Sequence, residues 1–129
     1  MKDNKSISML FYVGAAYDGI LGLIFLLFPK ALFEHFNVTP PNHYGYVQFP
    51  AALILIFGLM FLAIAMNPHK NYNLIPYGIL LKISYCSLVF WYWLTANIPG
   101  FWKPFAIMDL IFMVLFYLSY RQLSNVSRG

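Results

Sequence analysis

The chain has 129 residues, of which 61% are apolar, 20% are aromatic and only 9% are charged. A soluble domain carries about 25% charged residues, so this composition excludes an ordinary water-soluble domain. The formal net charge of +4 does not indicate nucleic-acid binding, because Lys and Arg in a membrane protein report its orientation. We therefore expect a membrane protein with no nucleic-acid partner.

The apolar residues fall into four blocks that are each long enough to cross a membrane. These blocks cover residues 7–28, 47–66, 74–95 and 104–120. A helix rises 1.5 Å per residue, so about 20 residues cross the hydrocarbon layer of roughly 30 Å. The connections are short. The sequence thus predicts a single all-α domain over residues 1–129, folded as an integral membrane four-helix bundle.

A short helix is expected directly after the first span. Pro29 can open a helix at its first turn, and Leu32, Phe33 and Phe36 share one side of the segment that follows. This pattern predicts a short helix lying in the membrane interface. The alternative is a simple polar connection.

Small residues mark one face of the second span. Ala51, Gly58 and Ala65 recur every seven residues. Small side chains let two helix backbones approach closely, which favours helix association in lipid. We expect this stripe to be buried against another helix.

The distribution of basic residues predicts the orientation. An even number of spans places both termini on one side, together with five basic residues: Lys2, Lys5, Lys70, Arg121 and Arg128. Only Lys30 and Lys103 lie on the other side. The positive-inside rule therefore predicts a multi-pass protein of the cytoplasmic (inner) membrane, with both termini in the cytoplasm.

Three charged residues lie inside the predicted spans, namely Asp18, Lys82 and Asp109. Each costs roughly 2.5–3.5 kcal/mol at the bilayer centre on insertion scales, and such residues are candidates for function. The helix rise places them at similar depths, so we predict that Lys82 lies within salt-bridge reach of Asp18 or Asp109. Two acids and one base leave a negative charge if all are ionised, which predicts that one carboxylate holds a proton.

Other side chains share the helical faces of these charges. Tyr85 and Trp93 follow the face of Lys82, and Met113 follows the face of Asp109. The candidate ligand- or proton-binding residues are therefore Asp18, Lys82, Asp109, Tyr85, Trp93 and Met113. An ion pair that only fixes the helix register is the alternative explanation of the charges.

No catalytic constellation is recognisable in the sequence. Cys86 is the single cysteine, which excludes a dithiol centre within one chain. No further ligands accompany His35 and His43 at a spacing typical of metal sites, so no metal site is predicted. The sequence assigns no cofactor and no catalytic residue, and it leaves open whether the protein is an enzyme.

Residues 21–29, LGLIFLLFP, followed by Ala31, Leu32 and Phe33, resemble the first segment of small DoxX-like bacterial membrane proteins. The segments at residues 17–19, 48–50, 82–86 and 102–105 are similar to those of an uncharacterised bacterial family of this size. The resemblance implies four spans. Some DoxX-like proteins are linked to quinone-dependent redox chemistry, but no catalytic residue carries over.

Small multidrug resistance transporters are also similar in length, in span number and in a carboxylate of the first helix, here Asp18. This chain differs from them in its long loop after the first span, in Lys82 and in its one-sided basic residues.

Three functions follow from these observations. The first is binding of a hydrophobic or amphiphilic small molecule, quinone-, sterol- or lipid-like, at the Asp18, Lys82 and Asp109 cluster. The second is proton-coupled transport of a small cation by a homo-oligomer, and the third is an accessory subunit of a membrane complex. A cavity that reaches the charges would favour the first function, whereas solid packing with an exposed small-residue stripe would favour the third. Membrane lipid is an expected partner of all three.

Overall fold

The computed structural model describes residues 4–128, and that part of the chain is helical without any strand. In chain order the helices are α1 (Asn4–Leu27), α2 (Pro29–His35), α3 (Gly45–Met66), α4 (Pro68–Asn71), α5 (Ile75–Thr95) and α6 (Lys103–Arg128). Single 3₁₀ turns at Tyr72–Leu74 and Gly100–Trp102 precede α5 and α6. The helices α1, α3, α5 and α6 belong to four segments that are long and apolar enough to cross a membrane. The predicted four-helix membrane bundle is confirmed.

The bundle has two ends that differ in their connections. One end holds the start of α1, the end of α6 and the turn between α3 and α5, and we call this end the terminal side. The loop side is the opposite end, where residues 28–44 and 96–102 connect the helices. Helix α2 lies on the loop side and buries Pro29 and Phe33. The Phe33 ring lies 6.0 Å from the Trp102 ring, so the predicted short helix covers this end of the bundle.

Helices α1 and α3 pack along each other with their backbones in close contact. A Cβ atom placed on Gly22 would lie 2.7 Å from the Ala51 carbonyl oxygen, and one on Gly58 would lie 2.9 Å from the Gly19 nitrogen. Only glycine fits at such distances. Ala51, Gly58 and Ala65 are all buried, which confirms the predicted burial of the small-residue stripe.

Helices α5 and α6 form the second close pair, and polar contacts connect α5 with α6 and with the 3₁₀ turn that precedes it. The Tyr85 hydroxyl donates to the Trp102 carbonyl at 3.0 Å, and the Cys86 thiol donates to the Ala106 carbonyl at 3.3 Å. The bundle is therefore built from two helix pairs, α1 with α3 and α5 with α6.

Aromatic rings fill the terminal side between these pairs. We call Phe11, Phe61, Phe112 and Phe116 the aromatic core, and all four are buried. Phe116 stacks on Phe11 at 4.6 Å and contacts Phe61 at 5.0 Å. Rings from three helices thus fill the interior of the bundle on the terminal side.

Helix α6 is longer than the predicted fourth span, since it continues beyond residue 120 to Arg128. The hydropathy pattern marked where the apolar residues end, but the helix continues because Leu123 is still on the buried face. Leu123 packs in the same cluster as the aromatic core and is only 1% exposed.

Candidate functional site

The three intramembrane charges meet at the centre of the bundle. Lys82 Nζ donates to Asp18 Oδ1 at 2.9 Å, to Asp18 Oδ2 at 2.8 Å and to Asp109 Oδ1 at 3.0 Å. All three residues are buried. The predicted salt bridge is confirmed, and Lys82 binds both carboxylates. We call Asp18, Lys82 and Asp109 the charged triad.

The charged triad connects the two helix pairs. Asp18 lies on α1, Lys82 on α5 and Asp109 on α6. Helices α1 and α6 make few direct contacts with each other, as do α3 and α5. The ion pairs therefore hold the pairs together at one depth, in addition to any function that the charges have.

Aromatic rings surround the ammonium group of Lys82. Its Nζ lies 5.5 Å from the centroid of Tyr17, 5.7 Å from that of Phe61 and 5.3 Å from that of Phe112. Cations are attracted to ring faces within about 6 Å. Tyr17 and Phe61 were not among the site residues that the sequence predicted. Tyr17 adjoins Asp18 in the sequence, which is a usable signal, whereas nothing in the sequence connects Phe61 on α3 with Lys82.

A cavity of about 390 Å³ lies against the charged triad, on its loop side. Asp18, Lys82 and Asp109 form its floor. The walls are mostly apolar and come from all four long helices, including Leu21, Phe25, Val47, Ile54, Leu88 and Phe105. The cavity is thus an apolar chamber whose polar groups are concentrated at one end.

The cavity opens sideways between α3 and α5. Several of its lining residues are also exposed on the outer surface of the bundle, among them Tyr46 at 72%, Leu53 at 39% and Leu88 at 58%. Tyr46 and Leu53 lie on α3, and Leu88 lies on α5. The opening therefore lies on the side of the bundle that lipid would cover.

The six predicted site residues divide into two groups. The charged triad and Tyr85 line the cavity, but Trp93 and Met113 do not lie on it. Trp93 stacks on Phe90 at 5.8 Å, and Lys103 Nζ lies 4.7 Å above its ring. Eight residues beyond Tyr85, Trp93 has rotated away from the interior by about 80° at 3.6 residues per turn. Met113 lies one turn beyond Asp109, on the terminal side of the charged triad.

A second, shallower depression lies on the outside of the α1 and α3 pair. Its volume is about 290 Å³. Small residues form its base, namely Ala15, Ala16, Gly19 and Gly58, and Tyr12, Leu59 and Leu62 border it. A Cβ atom on Gly19 would have no neighbour within 4 Å. We call this surface the small-residue groove.

Between residues 5 and 126, no three His, Cys, Asp or Glu side chains group together as metal ligands would. Comparison of the chain with protein-family models, with curated proteins and with solved structures finds no match. The functional proposal therefore depends on the geometry of the cavity and the charged triad.

Proposed function

We propose that this protein binds a hydrophobic or amphiphilic small molecule inside the membrane, in the cavity above the charged triad. The cavity is the observation that carries the proposal. Ligand sites measure roughly 300–1,000 Å³ and combine apolar walls with a few placed polar groups. A volume of about 390 Å³ with the charged triad as its floor fits this description.

The sideways opening supports a ligand that comes from the bilayer. Quinone-, sterol- and lipid-like molecules share an apolar body and a polar head group. The head group of such a molecule would contact the charged triad, and the apolar body would lie against Leu21, Ile54 and Phe105. Any longer tail would extend into lipid past Leu53 and Leu88, which line the opening and are partly exposed.

The accessory-subunit alternative is supported by a different surface. The small-residue groove exposes Ala16 and leaves Gly19 open. Small residues of this kind let a helix from another subunit approach closely. Proton-coupled transport has no comparable support, because the aromatic core packs directly on the terminal side of the charged triad. A transported cation would have to displace Phe61 and Phe112, whose rings surround Lys82 Nζ.

The location in the cell belongs to the same proposal. The basic residues near the helix ends support a protein of the cytoplasmic membrane with both termini in the cytoplasm. A reporter that is active only in the periplasm, fused after residue 129, should be inactive in cells. An active fusion would reverse the proposed orientation.

The ligand proposal is tested by filling the cavity. Ser84 and Ser87 are both exposed serines of α5, but only Ser84 lines the cavity. We therefore compare Ser84→Trp with Ser87→Trp as a matched control, and we measure co-purified small molecules by native mass spectrometry. Wild type and Ser87→Trp should retain a non-protein mass that Ser84→Trp has lost. Equal retention by all three proteins, or retention by none, would contradict the proposal.

A further inference from the structure

We infer that the head group of the ligand is a hydrogen-bond donor, an alcohol or an amine, and that it binds Asp109 Oδ2. The inference rests on the proposed function and concerns the floor of the same cavity. It follows from the hydrogen-bond donors and acceptors at the charged end of the cavity.

The strongest donor of the floor is already used. An ammonium group has three N–H bonds and no acceptor. Lys82 Nζ has three carboxylate oxygens around it, at 2.8, 2.9 and 3.0 Å. Lys82 Nζ is therefore already bound by both carboxylates, and a carbonyl, carboxylate or phosphate of a ligand would have to compete with them for its N–H groups.

The hydroxyl groups next to Lys82 are used as well. Ser84 Oγ donates to the Leu80 carbonyl at 2.9 Å, and Tyr85 Oη donates to the Trp102 carbonyl at 3.0 Å. The Tyr17 hydroxyl has no partner among the described residues, but its oxygen is buried and Tyr17 does not line the cavity. The floor thus offers a ligand no ready donor.

An acceptor, in contrast, is free at the same place. Asp109 Oδ1 accepts from Lys82, whereas no group between residues 5 and 126 donates to Oδ2. Asp109 lines the cavity and is only 8% exposed. Tyr17 Oη is the only fully buried side-chain oxygen or nitrogen without a partner among the described residues, so Oδ2 is accessible from the cavity, and a donor that enters gains a charge-assisted hydrogen bond there.

The formal charge of the floor points in the same direction. Two carboxylates and one ammonium leave one negative charge when all three groups are ionised. An anionic head group would add a second negative charge in surroundings of low dielectric constant, which is strongly unfavourable. An alcohol supplies a hydrogen to Oδ2, and an amine supplies a hydrogen and a balancing charge. Either one would take the place of the proton that the sequence predicts on a carboxylate.

The test uses four probes with the same twelve-carbon chain: dodecanol, dodecylamine, dodecyl methyl ether and dodecanoate. The protein is placed in phosphatidylcholine nanodiscs, because that head group has no N–H or O–H donor. Dissociation constants come from the rise of the unfolding temperature with probe concentration, taken relative to Ser84→Trp, in which the cavity is filled. Dodecanol and dodecylamine should bind about tenfold or more tightly than the ether and the carboxylate. One hydrogen bond to a charged group accounts for a difference in affinity of this size.

A variant isolates the role of Asp109. Asp109→Leu removes Oδ2 and leaves Asp18 and Lys82 as a neutral pair, so the preference for dodecanol over the ether should fall to about one. A purely structural role of Asp109 would lower stability without changing that ratio. The wild-type series decides the question even if Asp109→Leu does not fold.

The remaining outcomes would overturn the inference, and one of them would also overturn the proposed function. Equal binding of dodecanol and the ether, or tighter binding of dodecanoate, would overturn the donor inference and leave the proposed function intact. Equal binding of dodecanol and the ether is also the result expected if Asp109 itself carries a proton and donates it. No difference between wild type and Ser84→Trp for any of the four probes would overturn both the inference and the proposed function.

Discussion

On the terminal side of the charged triad the bundle is filled by aromatic rings, whereas on the loop side the same four helices line a cavity that opens between α3 and α5. Phe11, Phe61 and Phe116 are fully buried, and their ring centroids lie 4.6–6.0 Å from each other. The opposite half holds about 390 Å³ of space. Close contact of α3 with α1 at Gly22 and Ala51 leaves room between α3 and α5 at that end. The charges are thus sealed from one side and approachable from the other.

The largest effect is expected where the two halves meet. Lys82→Met leaves two buried carboxylates without their cation, and breaking a buried ion pair in this way costs about 3–5 kcal/mol. Thermal unfolding of the variant in one fixed detergent should show the loss. Lys82→Met combined with Asp18→Asn should recover part of the lost stability, because the unpaired carboxylate charge of Asp18 is then removed. Strictly additive effects in this double-mutant cycle would contradict the ion pair.

A second pair of variants compares the packed half with the open half directly. Phe116→Ala leaves a hole in the aromatic core and should cost about 3 kcal/mol or more, the usual range for a buried Phe. Phe105→Ala should cost less, because Phe105 already borders the cavity and is partly exposed. Unfolding in denaturant measures both. Equal losses would mean that the loop side is packed as tightly as the terminal side.

A third comparison concerns the contact of α1 with α3 that leaves room for the cavity. Gly22→Ala places a methyl group 2.7 Å from the Ala51 carbonyl oxygen, and overpacking of this kind costs about 1–3 kcal/mol. Gly19→Ala meets no atom within 4 Å, so the better helix propensity of Ala should make it neutral or stabilising by up to about 1 kcal/mol. Thermal unfolding gives the order. A stable Gly22→Ala variant would show that the two helices are not in close contact.

The smallest effects are expected at the polar side chains of the cavity wall. Tyr85→Phe removes the hydrogen bond to the Trp102 carbonyl and should cost about 1 kcal/mol. Ser84→Ala removes a hydroxyl that bonds only to its own helix, so its effect should stay within about 0.5 kcal/mol. Unfolding temperatures of the two variants test this order, and a reversed order would contradict the assigned contacts.

The sequence predicted the parts of this fold that depend on bilayer thickness and on the high energy of charge in lipid. Four apolar blocks predicted the four long helices, and three charges at similar depth predicted an ion pair within the bundle. The stripe of Ala51, Gly58 and Ala65 predicted a buried face, although not that α1 would be its partner.

The cavity could not be predicted, because it depends on how α3 and α5 separate and not on any motif. The same reason explains why two of the predicted site residues lie away from the cavity. Trp93 and Met113 were selected from helical faces alone, and the sequence does not show that Trp93 is rotated away from the interior or that Met113 lies on the terminal side of the charged triad. Phe61 was missed because a ring on α3 contacts Lys82 on α5 only in the folded bundle.

The central claim is that a molecule from the bilayer enters the cavity between α3 and α5, and site-resolved photolabelling tests it most directly. A long-chain alcohol carrying a diazirine is added to the protein in a bilayer, irradiated, and located by peptide mass spectrometry. Labels should concentrate on cavity residues such as Val47, Ile54 and Leu88. They should disappear in Ser84→Trp and persist in Ser87→Trp. An even distribution over the exposed positions of all four helices, unchanged in both variants, would contradict the account.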